Sequence, residues 1–326
     1  MSLLTPAGLT ALLLLSVPPT ASTNLALDVR SSSGASTLIV SPGRVAHYQV
    51  IGTLSNAAAS DGLAYFSTKL SFSGGPLPQA ASPTSVPMSS FAAPLGFSNP
   101  AGFGGTLVNG ELVQVGGAQN TINNTIAAAP LGTVVLGVAQ PSAPQVLVTG
   151  DLVAPYRVGS YTLNALGTKA NVILPGQSGV PFYKVDKVAG TSVSALSIEV
   201  HAIQARPAIT SISANDEQHL ALDAGPANAG RAYQVLGSIS GTSPGFPLPN
   251  GGLMPLHPDG YLNYTLTHPN TSILQNSLGF LDANGKATVT FHPNRRFIGL
   301  TVQHAFYLAG SSPEYVSEAE PVQVVQ

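Results

Sequence analysis

Gly241-Thr242-Ser243-Pro244-Gly245 fits the Gly-x-Ser-x-Gly outline of a nucleophilic serine turn, and Asp259 or Asp282 followed by His268 or His292 comes after it in hydrolase order. That chemistry needs a strand before the serine and a helix after it. It also needs the backbone N–H of the next residue in the oxyanion hole. The next residue here is Pro244, which has no N–H. Pro247, Pro249, Pro255 and Pro258 argue against a long helix downstream. The spacing is present, but the backbone chemistry is not.

Other groups point more weakly to chemistry. Asp282, Asn284 and Gly285 resemble the start of a calcium loop, which arrays oxygens around a tight turn. The distal Glu such a loop requires is missing, and a hairpin turn with Asn-Gly supplying positive φ explains the same residues. Asp282 and Asn284 are therefore the metal candidates. No His-x-His or His-Glu-x-x-His spacing occurs. Glu199 and His201, two residues apart on one strand face, read as a surface pair, and His304 reads as a core histidine on an apolar strand face. A carboxylate pair for glycoside cleavage would have to come from separate strands. With no Trp and 6% aromatic residues, the usual sugar-stacking cleft is poorly supplied, although Tyr65, Tyr156, Tyr161 and Tyr183 could partly substitute. Neither a cofactor nor catalysis is expected.

Composition sets the background. Asp, Glu, Lys and Arg make up 8% of the chain, against about 25% in an ordinary soluble domain. There are 34 Gly, 27 Pro and no Cys among 326 residues. Residues 1–22 read as a secretory signal peptide: an apolar stretch over 9–17, the break Pro18-Pro19, and small residues at Thr20-Ala21-Ser22. That stretch is too short to span a bilayer, which takes about 20 apolar residues. Without disulfides, each domain must bury a core of its own. A net charge of −2, with Arg295-Arg296 as the sole basic cluster in the sequence, argues against nucleic acid and anionic membranes as partners.

The elements that would position any site read as strands. Expected strands cover 45–54, 63–72, 106–115, 133–139, 145–153, 160–165 and 193–203, then 209–213, 219–223, 232–239, 286–291, 300–308 and 316–325. In 63–72, Phe66, Leu70 and Phe72 share one face while Tyr65, Ser67, Lys69 and Ser71 share the other. One or two helical turns are expected over 271–277, and Asp259-Gly260 reads as a turn. A boundary is expected at Arg206-Pro207, giving domains 25–204 and 207–326. The loop 74–105 carries Phe91, Phe97 and Phe103 six residues apart. They pin the loop to the sheet or form an exposed platform, and they are the ligand-binding candidates.

The segments 40–50, 61–72, 148–155 and 159–163, with the Pro42-Gly43 turn before an early strand and the Leu70-x-Phe72 pair later, resemble cohesin-type and carbohydrate-binding jelly-roll sandwiches of exported bacterial proteins. The segments 222–238, 240–245 and 278–287 resemble a small β-domain of exported bacterial proteins of unknown function. These resemblances imply an all-β chain with two sandwiches in tandem, first jelly-roll or cohesin-like and then a smaller immunoglobulin-like one. The expected role is non-catalytic adhesion or scaffolding at the cell surface or in the extracellular space, with a protein or polysaccharide partner and self-association through poorly charged strand edges. The alternative is a carbohydrate-binding module.

Overall fold

The computed structural model describes residues 22–75, 77, 85–92, 104–121, 134–176, 183–213, 217–249, 251–310 and 315–326. The first part carries β1 (Asn24–Ser31), β2 (Thr37–Val40), β3 (Val45–Leu54), β4 (Leu63–Phe72), β5 (Gly104–Val108), β6 (Glu111–Ala118), β7 (Gln145–Val153), β8 (Gly159–Ile173), β9 (Val185–Lys187), β10 (Gly190–Ser194) and β11 (Leu196–Val200). They form a four-stranded sheet in the order β10-β1-β3-β7 and a second sheet in the order β2-β11-β8-β4-β6-β5, with β9 on β8. Alternation drives the packing. In β4 the buried residues are Leu63, Ala64, Phe66, Thr68, Leu70 and Phe72, and they meet Leu25, Leu27 and Val29 of β1 across the sandwich.

The second part carries β12 (Ile203–Arg206), β13 (Ile209–Ser211), β14 (Gln218–Asp223), β15 (Ala232–Ser238), β16 (Phe246–Pro247), β17 (Leu253–Met254), the helix α1 (Gly260–Thr267), β18 (Leu274–Gln275), β19 (Leu278–Phe280), β20 (Lys286–Phe291), β21 (Thr301–Leu308), β22 (Tyr315–Val316) and β23 (Glu320–Val325). One sheet runs β12-β14-β20-β18. The other runs β13-β23-β21-β15-β19, with β22 on β21. Leu220, Val235, Phe291, Phe306 and Val324 fill the space between them. Leu236 and Ala305, on the opposite face of β15 and β21, are covered by Met254, Leu256 and Leu262 of the α1 layer. This explains why β15 is buried on both faces rather than alternating.

The all-β architecture stands, but several elements differ from expectation. The single strand expected over 106–115 is a hairpin of β5 and β6, turned at Asn109 (φ 51°) and Gly110 (φ 83°). The segment 193–203 divides among three strands because the chain changes sheets after Ser194 and again after Val200. The expected strand at 133–139 is a turn over 136–139, with Thr133 outside the described residues. There the buried Gln119 amide takes a partner strand's place: Val135 N–H donates to its Oε1 (2.7 Å), and its Nε2 donates to Leu63 O and Val135 O. The helix lies at 260–267 and not at 271–277. Asp259 caps it by accepting from Leu262 N–H at 2.8 Å, whereas Asn270 and Asn276 adopt positive φ and interrupt the later segment.

Candidate functional site

Several charges of this sparsely charged chain meet at the seam between the two sandwiches. The turn after β2 brings Pro42 and Arg44 against the turn after β14 and the hairpin before β20. The backbones pass so closely that a Cβ on Gly285 (φ +75°) would overlap the Gly225 carbonyl, and one on Gly225 (φ +81°) would overlap Pro42 O. Only glycine fits such an approach. Arg44 grips Asp223 with both ends of its guanidinium, Nε to Oδ2 at 3.2 Å and Nη2 to Oδ1 at 3.0 Å, and Nη2 also donates to Asn284 O at 2.8 Å. Lys286 Nζ lies 3.5 Å from the same carboxylate, and Gly225 N–H donates to it.

On the other side of the seam, Glu318 receives the start of β12. Its carboxylate accepts from Ala202 N–H (2.8 and 3.0 Å) and Ile203 N–H (3.1 Å), while Glu320 accepts from Ala205 N–H at 2.8 Å. Burial pushes the Glu318 carboxyl above its ordinary value, and these amide donors act against that rise. His201 Nδ1 stands 3.8 Å from Glu318 Oε1, so its carboxylate neighbours are Glu318 and, two residues back, Glu199. Glu199 itself accepts from the hydroxyls of Ser160 and Ser197, which hold its carboxyl below the usual range. A hollow of about 380 Å³ opens here, lined by Ser41, His201, Gln204, Arg206, Ala221, Asp223 and Lys286.

The serine-turn outline does not assemble. Ser243 lies between β15 and β16 with no helix following it, and His257 Nδ1 is 2.6 Å from the Ser243 carbonyl oxygen. Asp259 is committed to structure: burial alone would raise its carboxyl, but Leu262 N–H, Ser238 Oγ, Ile239 N–H and Ser240 N–H donate to it and bring it below the ordinary value. His268 stacks on Tyr264 at 5.3 Å, and His292 faces Glu217 at 4.0 Å.

Asp282 Oδ1 accepts from Asn284 N–H (2.7 Å) and Lys286 N–H (2.9 Å), and these bonds hold its carboxyl low. Asn284 turns its carbonyl to Arg44. Among the described residues no group of three or more His, Cys, Asp or Glu could hold a metal. Phe91 is 1% exposed and packs edge-on against Phe66 at 5.7 Å, so its ring offers nothing to a surface ligand; Phe97 and Phe103 lie outside the described residues. The tyrosines do not form one sugar-stacking face, since Tyr161 turns inward onto Phe72 at 5.8 Å.

A second hollow joins His47 and Asp151, with Nδ1 to Oδ1 at 2.6 Å, to Ser32 and Thr149. Among the described residues no hydrogen bond links the Ser32 hydroxyl to the ring. This dyad therefore lacks an aligned nucleophile.

No family model and no curated protein matches this chain. Among solved structures, the sixth cohesin of scaffoldin B from Acetivibrio cellulolyticus, in complex with a dockerin, is similar over 55% of this chain and 99% of its own, at 12% identity and a TM-score of 0.31. BcpA, the major pilin subunit of Bacillus cereus, covers 92% of this chain with 68% of its own length, at 8% identity and a TM-score of 0.30. The C-terminal domain of the Streptococcus pyogenes antigen I/II-family protein AspA covers 93% with 100% of its length, at 9% identity and a TM-score of 0.26. The cohesin resemblance read from the sequence thus recurs among solved structures, but likeness at this level carries no argument. The sandwich architecture rests on the chain's own ladders and cores.

Proposed function

We propose that the chain is an exported, non-catalytic adhesion or scaffolding protein of the cell surface or extracellular space. Two sandwich domains are joined just ahead of β12, at 201–202, and residues 1–22 serve as the signal peptide. One observation carries the reading: six of the scarce ionic groups are spent on architecture. Asp223 and Arg44 lock the seam, Glu318 and Glu320 hold the free edge of β12, Asp259 caps α1, and Asp282 closes a hairpin. Groups fully engaged by backbone donors are poor acids, bases or nucleophiles. No helix among the described residues is long and apolar enough to cross a membrane.

The test uses the full chain in three assays: light scattering over a concentration series, retention on insoluble polysaccharides, and a panel of chromogenic esters and glycosides. Rising mass or retention, without turnover, is the expected result. Turnover abolished by one acidic-residue substitution would overturn the reading.

A further inference from the structure

We propose that the outer face of the β12–β14–β20 sheet, closed at one end by Ser41 and His201, binds the carboxylate groups of an acidic polysaccharide. This rests on the interaction role proposed above and names one partner for it.

Register fixes the face. Gln204 pairs with Ala221, Arg206 with His219, Asp223 with Lys286 and His219 with Thr290. Paired residues share a face, so Gln204, Arg206, His219, Lys286, Thr288 and Thr290 point outward together. Ala221 lies between them, and its short side chain leaves the hollow open.

Charge favours an anion. Among the described residues, Arg206 has only the neutral Gln204 Oε1 as a hydrogen-bond partner (3.0 Å) and forms no salt bridge. Lys286 must share Asp223 with the better-placed Arg44. Asp223, already saturated, is the sole carboxylate among the described residues lining the hollow. Two cations, Arg206 and Lys286, thus line the hollow beside this one engaged carboxylate. An incoming carboxylate would complete two incomplete cation sites with charge-assisted hydrogen bonds.

Chemistry favours a sugar polymer over an acidic peptide. The face has no large apolar side chain to serve as an anchor, and protein interfaces depend on such anchors. It offers amide and hydroxyl groups instead, suited to sugar hydroxyls. Arg206 and Lys286 stand four register positions apart, about 13 Å along the strands at about 3.3 Å per residue. That separation suits a chain with repeated carboxylates.

The experiment is retention of the full chain on immobilised polygalacturonate, beside its methyl-esterified form and polyglutamate. Retention on the free-acid polymer alone, reversed by salt, is expected. Arg206→Ala with Lys286→Ala should weaken it by about tenfold per cation, whereas Lys187→Ala, on the first sandwich, should leave it unchanged. Retention that survives the double substitution would overturn the site. Equal binding to the esterified polymer would overturn the charge argument, and equal binding to polyglutamate the assignment to a glycan. If the unmodified chain fails to bind polygalacturonate, this proposal falls, while light scattering and the neutral polysaccharides judge the broader interaction role separately.

Discussion

β12 of the second sandwich, with Ala202 just before it, hands the amides of Ala202, Ile203 and Ala205 to the carboxylates of Glu318 and Glu320, whereas β2 of the first has no such cover among the described residues. Parallel pairing with β11 uses Ser36 O and Val40 O, so the alternate residues Thr37 and Ile39 turn their backbone groups outward, and Ile39 is 59% exposed. An uncovered strand edge is normally defended by charge, Pro or a bulge. A chain with so few charges defends the edge that holds its two sandwiches together and leaves the outer one plain. Ionic groups therefore mark the places where geometry must be fixed.

Removing the cover should show the largest effect. Glu318→Ala strands two buried amides and is expected to cost about 3 kcal/mol in urea unfolding, with Glu318→Gln recovering part of that through its amide oxygen. A cost below about 0.5 kcal/mol, the range of ordinary surface substitutions, would erase the contrast between the edges.

Next comes His304, which burial drives down to about 3; the ring is fully buried, with Nε2 3.4 Å from the Tyr261 hydroxyl and Nδ1 unpartnered. Its folded pKa lies below the unfolded value of about 6.5, so the unfolded chain takes up the proton first as pH falls. Stability is complete above pH 6.5 and is lost below it, by about 2 kcal/mol at pH 5. Glu318, shifted upward, acts in the opposite sense in this window. His304→Phe should flatten the pH dependence of the urea midpoint between 7 and 5; an unchanged slope would assign the acid sensitivity elsewhere.

Arg44→Ala should cost about 1 kcal/mol, because Asp223 keeps Lys286 and the Gly225 amide. Its sharper readout is faster hydrogen exchange at Gly225 and Ala224. Ile39→Lys is the mildest change. It should shift stability by less than about 0.5 kcal/mol, yet lower the mass reached at high concentration if copies associate through β2. A mass unchanged by this substitution would remove that edge from self-association.

Strands with a period-two pattern were legible: 45–54, 63–72 and 286–291 correspond to β3, β4 and β20 residue for residue, and 145–153 to β7 although its burial does not alternate. The β5–β6 hairpin carried a readable Asn109-Gly110 signal between the apolar pairs Leu107-Val108 and Leu112-Val113. α1 has eight residues and depends on the Asp259 cap and the apolar layer beneath it, so periodicity alone hardly marks it. Gln119 acts as a substitute strand, and nothing local to it announces that role.

The amino-acid sequence by itself determined the all-β class, because alternation and turn residues act over a few neighbours and leave little else for the chain to form. Only the tertiary structure decided where the charges meet. Arg44, Asp223 and Lys286 are far apart along the chain, and in sequence the only basic cluster is Arg295-Arg296. Strand order, the close backbone passage at Gly225 and Gly285, and the change of sheet after Val200 bring the seam groups together. These are properties of how whole sheets pack, and no local window of residues contains them.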